Sequence, residues 1–219
     1  MARDEERLAR AQEEPIVGGL PDVPGISAAM RLTPGLGVHL RGLADELLVN
    51  DFPGATIGRV EREMLATATS AANDCFFCMD SHSAFATALL ERDGTTERAS
   101  LLDQIKIGSD EGFDPKMRAL LHIARTVRRD PLRLTTADVD AAQAAGASDG
   151  DVQLAVLIAS AFSMYNRMVD GFRARTAPTT EAYRARAAEI AANGYSAPSA
   201  SGPTGASAAG APPVGATRS

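Results

Sequence analysis

Apolar residues recur along most of this chain with the spacing of an α-helix that turns one face toward a core. The first such face is formed by Leu36, Leu40, Leu43, Ala44, Leu47 and Leu48. The sequence Asp-Phe-Pro-Gly at 51–54 ends it. A second face consists of Ile57, Val60, Met64, Ala68 and Ala71. These spacings predict two amphipathic helices, the second of which ends near Ala72.

A third helix is predicted directly after the second. Asn73 and Asp74 belong to the residue types that cap helices, so this helix is expected to begin at Cys75 and to end near Asp93 and Gly94. The two helices are joined by very few residues. They are therefore expected to form a helical hairpin.

The second half of the chain predicts further helices and no strand. A short helical piece spans residues 98–105, and an amphipathic helix with prolines at both margins lies within 114–131. Another begins at Thr135 or Thr136 and ends at Gly146. The helix opened by Ser148 is apolar on every side, which predicts burial all round. A last helix covers residues 179–192, and the fold class is all-α.

The two ends of the chain differ from this helical domain, which we assign to residues 36–193. Residues 1–35 are predicted to be an N-terminal arm, because a helix over 1–14 would be polar on most faces and a Pro/Gly-rich stretch follows it. Residues 194–219 are rich in Ala, Ser, Gly and Pro and contain little apolar bulk. They are predicted to be a disordered tail that is dispensable for folding.

Composition narrows the classes of function. The 28 acidic and 22 basic residues give a net charge of −6, which argues against a nucleic-acid partner. No apolar run approaches the roughly 20 residues of a membrane span, and the charged N-terminus lacks the apolar middle of a secretory signal. A cytoplasmic, reducing location is expected. In that compartment a Cys-x-x-Cys pair is redox-active or metal-binding more often than a structural disulfide.

Cys75, Cys78 and His82 are the candidate chemical residues, because they share one face of the predicted third helix. In the first turn of the helix, Cys75 would have its thiolate favoured by the helix dipole, and His82 could accept a proton from Cys78. Glu63 on the preceding helix could reach the same face. Two alternatives stay open: the cysteines are small core residues, or the four side chains form a tetrahedral zinc site.

The pattern Glu63-x11-Cys75-x2-Cys78-x3-His82 resembles the signature of the alkylhydroperoxidase AhpD family, within the carboxymuconolactone decarboxylase-like superfamily. The resemblance covers about residues 36–175. It implies an all-helical, oligomeric protein with a site near subunit contacts. It also implies that Cys78 attacks peroxide, that Cys75 resolves the product, and that His82 and Glu63 relay protons. Asn166, Arg167 and Asp170 match a polar patch of such proteins and receive no catalytic role.

One position departs from the family pattern. The best-known peroxidases have a histidine just before the second cysteine, where this chain has Phe77, so peroxide turnover is expected to be slow. The resemblance implies a hydroperoxide substrate, no metal or organic cofactor, and an external dithiol reductant, either a lipoyl group or a thioredoxin-like protein. The superfamily's decarboxylases lack the cysteine pair. The alternative function is a non-enzymatic redox sensor or binding protein that uses the same two cysteines.

The apolar surface predicts self-association. The helix over residues 152–168 and the helix over 36–48 present more apolar face than a small monomer readily buries. A homo-oligomer is therefore expected.

Overall fold

The structure is a computed structural model that describes residues 2–177 and 179–196. Within these residues the protein has ten α-helices and no strand, which confirms the all-α prediction. In chain order the helices are α1 (Ala2–Gln12), α2 (Ile26–Leu32), α3 (Pro34–Leu48), α4 (Arg59–Ala72), α5 (Phe76–Asp93), α6 (Ser100–Lys106), α7 (Pro115–Arg129), α8 (Thr136–Ala144), α9 (Asp149–Phe172) and α10 (Arg184–Asn193).

Several helix ends are set by capping residues, of which the sequence indicated Thr135 and Ser148. The Asp114 side chain accepts a hydrogen bond from the backbone N–H of Met117 and starts α7, with Pro115 at the first helical position. Thr135 and Ser148 start α8 and α9 in the same way, each in a reciprocal capping box. At the other end of α5, Gly94 adopts a left-handed conformation with φ 69° and stops the helix.

Helix α4 occupies the centre of the molecule. It packs against α5, α7 and α9, while α10 packs along α5, and α2 packs on α3 and α9. The core consists of fully buried side chains from these helices, among them Leu48, Met64, Leu65, Leu89, Leu120, Leu121, Ile123, Leu154, Ile158 and Phe162. Burial of α4 on nearly all sides places Glu63, which it bears, inside the protein.

Two helices bury less of their surface than their sequences predict. Helix α9 is not buried all round, because Leu157 and Met164 are 44% and 39% exposed on an outward-facing stripe. On α3, Leu36 and Leu43 are exposed, whereas Leu40, Ala44, Leu47 and Leu48 face the core. Of the described helices, α9 alone is long and apolar enough to cross a membrane, and more than half of its most apolar window is buried against the rest of the protein.

Segments near both ends of the chain form more of the folded structure than the sequence predicted. Residues 1–35 are not a simple arm, since they contain α1 and α2 and since Ala28 is completely buried beside the two cysteines. At the other end, Tyr195 and Ser196 belong to the predicted disordered tail, yet their backbone N–H groups donate to the carboxylate of Asp45 at 2.6 and 2.9 Å. The predicted boundary at residue 194 is therefore too early. Residues 197–219 lie outside the described part of the chain.

Candidate functional site

The α4–α5 hairpin builds the candidate site. Helix α5 begins at Phe76 and Cys75 is its N-cap residue, so the predicted capping roles of Asn73 and Asp74 are wrong. These two residues form the turn between the helices instead. Asp74 has a left-handed backbone with φ 55°, and the Asn73 side chain donates to Asn166 Oδ1 at 2.8 Å. The turn is thereby tied to α9, which fixes where α5 starts.

The two cysteines lie side by side in a small apolar cluster. Cys75 is completely buried, Cys78 is 2% exposed, and no disulfide joins them. Their neighbours in the cluster come from the segment before α3 and from the end of α9: Leu20, Val23, Ile26, Ala28, Val169, Phe172 and Ala174. The N-terminal segment therefore covers the cysteine pair, a contact that no sequence pattern predicted.

The surroundings of Cys75 favour the protonated form of its thiol. A hydrogen bond to Cys78 raises the pKa of Cys75 well above its ordinary value, and burial and the negative charge of Asp170 act in the same direction. The helix-dipole argument had predicted a lowered pKa for Cys75. Desolvation and the neighbouring sulfur outweigh the dipole at this position, because Cys75 is enclosed by apolar side chains. Cys75 therefore stays protonated, and its single proton has two acceptors, Cys78 and Asp170.

Asp170 is the charged group closest to this pair on α9. Partial desolvation raises the pKa of its carboxyl, although a hydrogen bond from the Cys75 thiol opposes the shift. The residue is exposed on its outer side. It thus connects the buried thiol with the protein surface. Asp170 was noted in the sequence but was given no role.

His82 and Glu63 form a buried pair one helical turn beyond Cys78. The distance from His82 Nδ1 to Glu63 Oε2 is 2.7 Å, and the Glu63 side chain is completely buried. The imidazole is fixed by edge contacts with Phe85 and Phe162, whose ring centroids lie 5.1 and 4.6 Å away. With Glu63 as the acceptor, this contact is made by the His82 tautomer that has its proton on Nδ1. In that tautomer Nε2 is the nitrogen that can accept a proton.

A tyrosine that the sequence analysis did not select completes this cluster. The Tyr195 hydroxyl donates to Glu63 Oε1 at 2.6 Å and lies 3.3 Å from His82 Nδ1. Burial and the negative charge of Glu63 raise the pKa of Tyr195 well above its ordinary value. The hydroxyl therefore stays protonated. The signal available in the sequence was a single aromatic residue in an otherwise Ala/Ser/Gly/Pro-rich segment.

The remaining candidates are divided between structural and surface positions. Asn166 is buried and donates to Ser70 Oγ at 3.1 Å, whereas Arg167 is exposed and donates to the Ser163 carbonyl of its own helix. Phe77 is half-buried, with its ring edge-on to Tyr183. In the described ranges, no three His, Cys, Asp or Glu side chains are grouped closely enough to hold a metal ion, so the zinc alternative has no ligand set there.

The fold and the site define a helical protein with a buried cysteine pair beside a histidine–carboxylate pair. Residues 42–102 match the sequence model of the carboxymuconolactone decarboxylase family. The fold is similar to a crystal structure titled alkylhydroperoxidase AhpD core, an uncharacterized peroxidase-related protein from Ralstonia eutropha JMP134. The TM-score is 0.63 at 23% identity, over 86% of this chain and 90% of that one.

A second solved structure gives the same result. An uncharacterized peroxidase-related protein from Silicibacter sp. TM1040 superposes with a TM-score of 0.61 at 21% identity, over 80% of this chain and 93% of that one. No functionally curated protein matches the sequence significantly. The chain therefore has an AhpD-like fold and contains a segment similar to the carboxymuconolactone decarboxylase family.

Proposed function

We propose that this protein is a thiol-dependent peroxidase that reduces hydroperoxides with Cys78 and Cys75. The proposal rests chiefly on one observation: the cysteine pair lies one helical turn from a buried His82–Glu63 pair, which can accept a thiol proton. The peroxidase-related names of the similar structures agree with this function.

The first step consumes the peroxide. His82 Nε2 accepts the Cys78 proton, and the thiolate attacks the terminal oxygen of the hydroperoxide ROOH. The O–O bond breaks, an S–O bond forms, and the alkoxide takes a proton to leave as ROH. Cys78 is left as a sulfenic acid, oxidised by two electrons.

The second step forms the disulfide. Cys75 attacks the sulfenic sulfur of Cys78, and the hydroxyl leaves as water when it takes the proton that Cys75 releases. Asp170 is the second acceptor of the Cys75 thiol, and in our proposal it carries that proton. An external dithiol then reduces the disulfide and becomes oxidised itself. The net reaction converts ROOH and a dithiol into ROH, water and a disulfide, without a metal or organic cofactor.

Access to the sulfurs requires movement. Both cysteines are covered by Leu20, Val23 and Ile26 of the N-terminal segment, and Phe77 occupies the position before Cys78. A phenylalanine cannot transfer a proton. We therefore expect slow turnover, limited by displacement of this cover and by the missing proton donor.

The two cysteines give the experiment that tests this function. Cys78→Ser is expected to reduce peroxide consumption to background. Cys75→Ser should still react once and accumulate a sulfenic acid on Cys78 that dimedone labels and mass spectrometry locates. If the label appears on Cys75 in Cys78→Ser while Cys75→Ser is inert, the roles are reversed. If neither variant nor the parent protein reacts with any peroxide, the peroxidase function is wrong.

His82 tests the acid–base part of the proposal. His82→Ala is expected to slow the first attack by roughly 10²-fold or more, because the thiol loses its proton acceptor. Raising the pH should restore part of this loss, since hydroxide then supplies the thiolate. An equal loss at every pH would show that His82 acts by packing alone.

The burial of both cysteines favours a second candidate, a redox sensor without catalytic turnover. Cysteines that are 0–2% exposed react rarely, and in this candidate function a disulfide formed beneath the N-terminal segment shifts that segment. A single stoichiometric oxidation in the presence of excess peroxide and dithiol would indicate the sensor. Repeated turnover would indicate the peroxidase.

We also propose that the chain forms a homo-oligomer. Large apolar side chains are exposed on α3 and α9, among them Leu36 and Val38 on the first and Leu157 and Met164 on the second. Light scattering at micromolar concentration checks this, and a monomeric mass would contradict it.

A further inference from the structure

The Glu63 carboxylate has a separate donor for each of its oxygens. Oε2 accepts from His82 on α5 at 2.7 Å, and Oε1 accepts from the Tyr195 hydroxyl at 2.6 Å. The carboxylate is completely buried. It cannot turn toward water, so these two donors determine its orientation.

Tyr195 is brought to this position by a short segment that we call the C-terminal latch, residues 194–196. Asp45 on α3 accepts from the backbone N–H of Tyr195 and Ser196. Gly194 has φ 78°, and a Cβ there would lie 2.8 Å from Asp45 Oδ1, so a glycine is required for the close approach. Two backbone hydrogen bonds to Asp45 and the close approach of Gly194 thus hold the latch against α3.

The end of α10 is also held firmly. Arg59 donates to the carbonyl oxygens of Ile190 and Ala191, each at 2.9 Å. Arg92 donates to the Ala191 carbonyl at the same distance. Two guanidinium groups therefore satisfy the last carbonyls of α10 and fix the point from which the latch departs.

We infer that Tyr195 is a positioning residue of the thiol site: its hydroxyl holds the Glu63 carboxylate so that His82 keeps its proton on Nδ1 and presents Nε2 as the base. This inference rests on the proposed function of the site and adds a residue to it. Tyr195 touches neither cysteine in this role. It acts through Glu63 and then through His82.

The charged groups around the cluster agree with a positioning role. Arg59 lowers and Asp45 raises the pKa of Tyr195, and both effects are smaller than those of burial and of Glu63. Phe85 and Phe162 cover the imidazole without supplying a polar atom. Tyr195 is therefore the second hydrogen-bond donor to Glu63, and its loss leaves Oε1 without a partner in the described structure.

The test compares Tyr195→Phe with a matched control, Tyr165→Phe, in a Cys75→Ser background. The Tyr165 hydroxyl is also buried and donates to the Leu40 carbonyl at 2.7 Å, but it does not contact Glu63. With Cys75 replaced, Cys78 is the one remaining thiol. The rate of Cys78 alkylation by iodoacetamide is measured against pH, and ¹⁵N spectra of the three histidines report the tautomer of His82.

Tyr195→Phe is expected to move the pH midpoint of alkylation upward by about half a unit or more, and to increase the share of His82 with its proton on Nε2. Tyr165→Phe should change neither. In a Glu63→Gln background, Tyr195→Phe should add no further shift, because its effect passes through Glu63. Unchanged spectra and midpoint in Tyr195→Phe, an equal shift in Tyr165→Phe, or an additive shift in the double variant would each overturn the inference.

A second variant keeps the test usable if Tyr195→Phe folds poorly. Asp45→Asn retains the hydroxyl but weakens the latch, so it is expected to shift the midpoint in the same direction by a smaller amount. No shift in Asp45→Asn would count against the latch.

Alkylation and tautomer measurements require no peroxide turnover. The parent protein could lack peroxidase activity while Tyr195→Phe still shifts the Cys78 midpoint. That result would contradict the proposed function and support this inference. An enzyme that turns over peroxide, and whose Cys78 midpoint is shifted by Glu63→Gln but not by Tyr195→Phe, would support the proposed function and overturn this inference.

Discussion

Two carboxylates, Asp151 and Glu63, are completely buried in this protein and have opposite kinds of partners. Both join segments that are far apart in the sequence. An unpaired carboxylate is costly to bury, so the fold has to supply each of these two side chains with hydrogen-bond partners.

The partners of Asp151 include backbone N–H groups and a lysine ammonium, which all act as hydrogen-bond donors. Its oxygens accept from the backbone N–H groups of Thr56 and Ile57 at 2.6 and 2.9 Å, and from Lys116 Nζ at 2.8 Å. The pKa of Asp151 is strongly lowered, because these hydrogen bonds outweigh the cost of burial. The adjoining Gly150 lets the loop at 53–55 lie directly on the start of α9. The hydrogen bonds of Asp151, which we call the Asp151 tie, therefore hold the start of α9 to the loop before α4 and to α7.

The Glu63 carboxylate has only side-chain partners in the described structure. Its two partners are an imidazole and a phenol, and neither is a permanent cation or a backbone N–H group. The cluster lies one helical turn from a cysteine pair. Under the proposed function, the type of partner, and not burial itself, distinguishes a carboxylate that holds the fold from one that takes part in proton transfer.

The largest effect expected from this comparison is on stability. Asp151→Ala should lower the free energy of unfolding by about 3–5 kcal/mol, because it removes the carboxylate that pairs with Lys116 and accepts from the Thr56 and Ile57 backbone N–H groups. Urea unfolding measures it. Asp149→Ala, on the exposed first turn of the same helix, is the matched control and should change little. A loss below about 1 kcal/mol for Asp151→Ala would contradict the structural role.

Glu63→Gln is expected to have the complementary effect. The amide preserves the shape of the side chain but weakens its hold on the His82 proton, so the first attack on peroxide should slow by roughly 10²-fold. Stability should fall by no more than about 1–2 kcal/mol. Single-turnover kinetics and urea unfolding of the same variant separate the two quantities. A large loss of stability with unaltered kinetics would place Glu63 in the same class as Asp151.

The sequence predicted the parts of this molecule that are encoded locally. Capping residues such as Thr135 and Ser148, together with the period of apolar positions, predicted the helices of the domain within a few residues. The spacing of Glu63, Cys75, Cys78 and His82 selected side chains that the hairpin does bring into one region. These features could be predicted because each depends on residues within a few turns of one another.

The features that were missed depend on contacts between distant segments. Nothing near Tyr195 in the chain indicates that Asp45, 150 residues earlier, binds its backbone. The cover over the cysteines likewise comes from Leu20, Val23 and Ile26 of a segment that reads locally as irregular. The raised pKa of Cys75 follows from that enclosure, so the dipole argument, which uses only the local helix, gave the wrong direction.

Acid should weaken the Asp151 tie in a defined direction. A carboxyl whose pKa is lower in the folded than in the unfolded protein stabilises the fold above its unfolded pKa of about 3.9, and this contribution is lost as the pH falls toward the folded value. The unfolding free energy should therefore decrease from pH 5 to pH 3, and Asp151→Asn should reduce the slope. Urea unfolding at several pH values measures both. An equal slope in Asp151→Asn would assign the acid sensitivity to other groups.

Two truncations give the smallest expected effects and locate the end of the functional chain. Removal of residues 197–219 should change neither stability nor the pH midpoint of Cys78 alkylation, since Ala, Ser, Gly and Pro supply almost no apolar bulk to a core. Removal of residues 194–219 takes away the latch as well, and with it the Tyr195 donor to Glu63. This second truncation should raise the alkylation midpoint by about half a unit, as Tyr195→Phe does, and leave the Asp151 tie and its acid response intact. If both truncations behave like the full chain, Glu63 does not need its second donor; if both raise the midpoint, residues beyond Ser196 also act on the site.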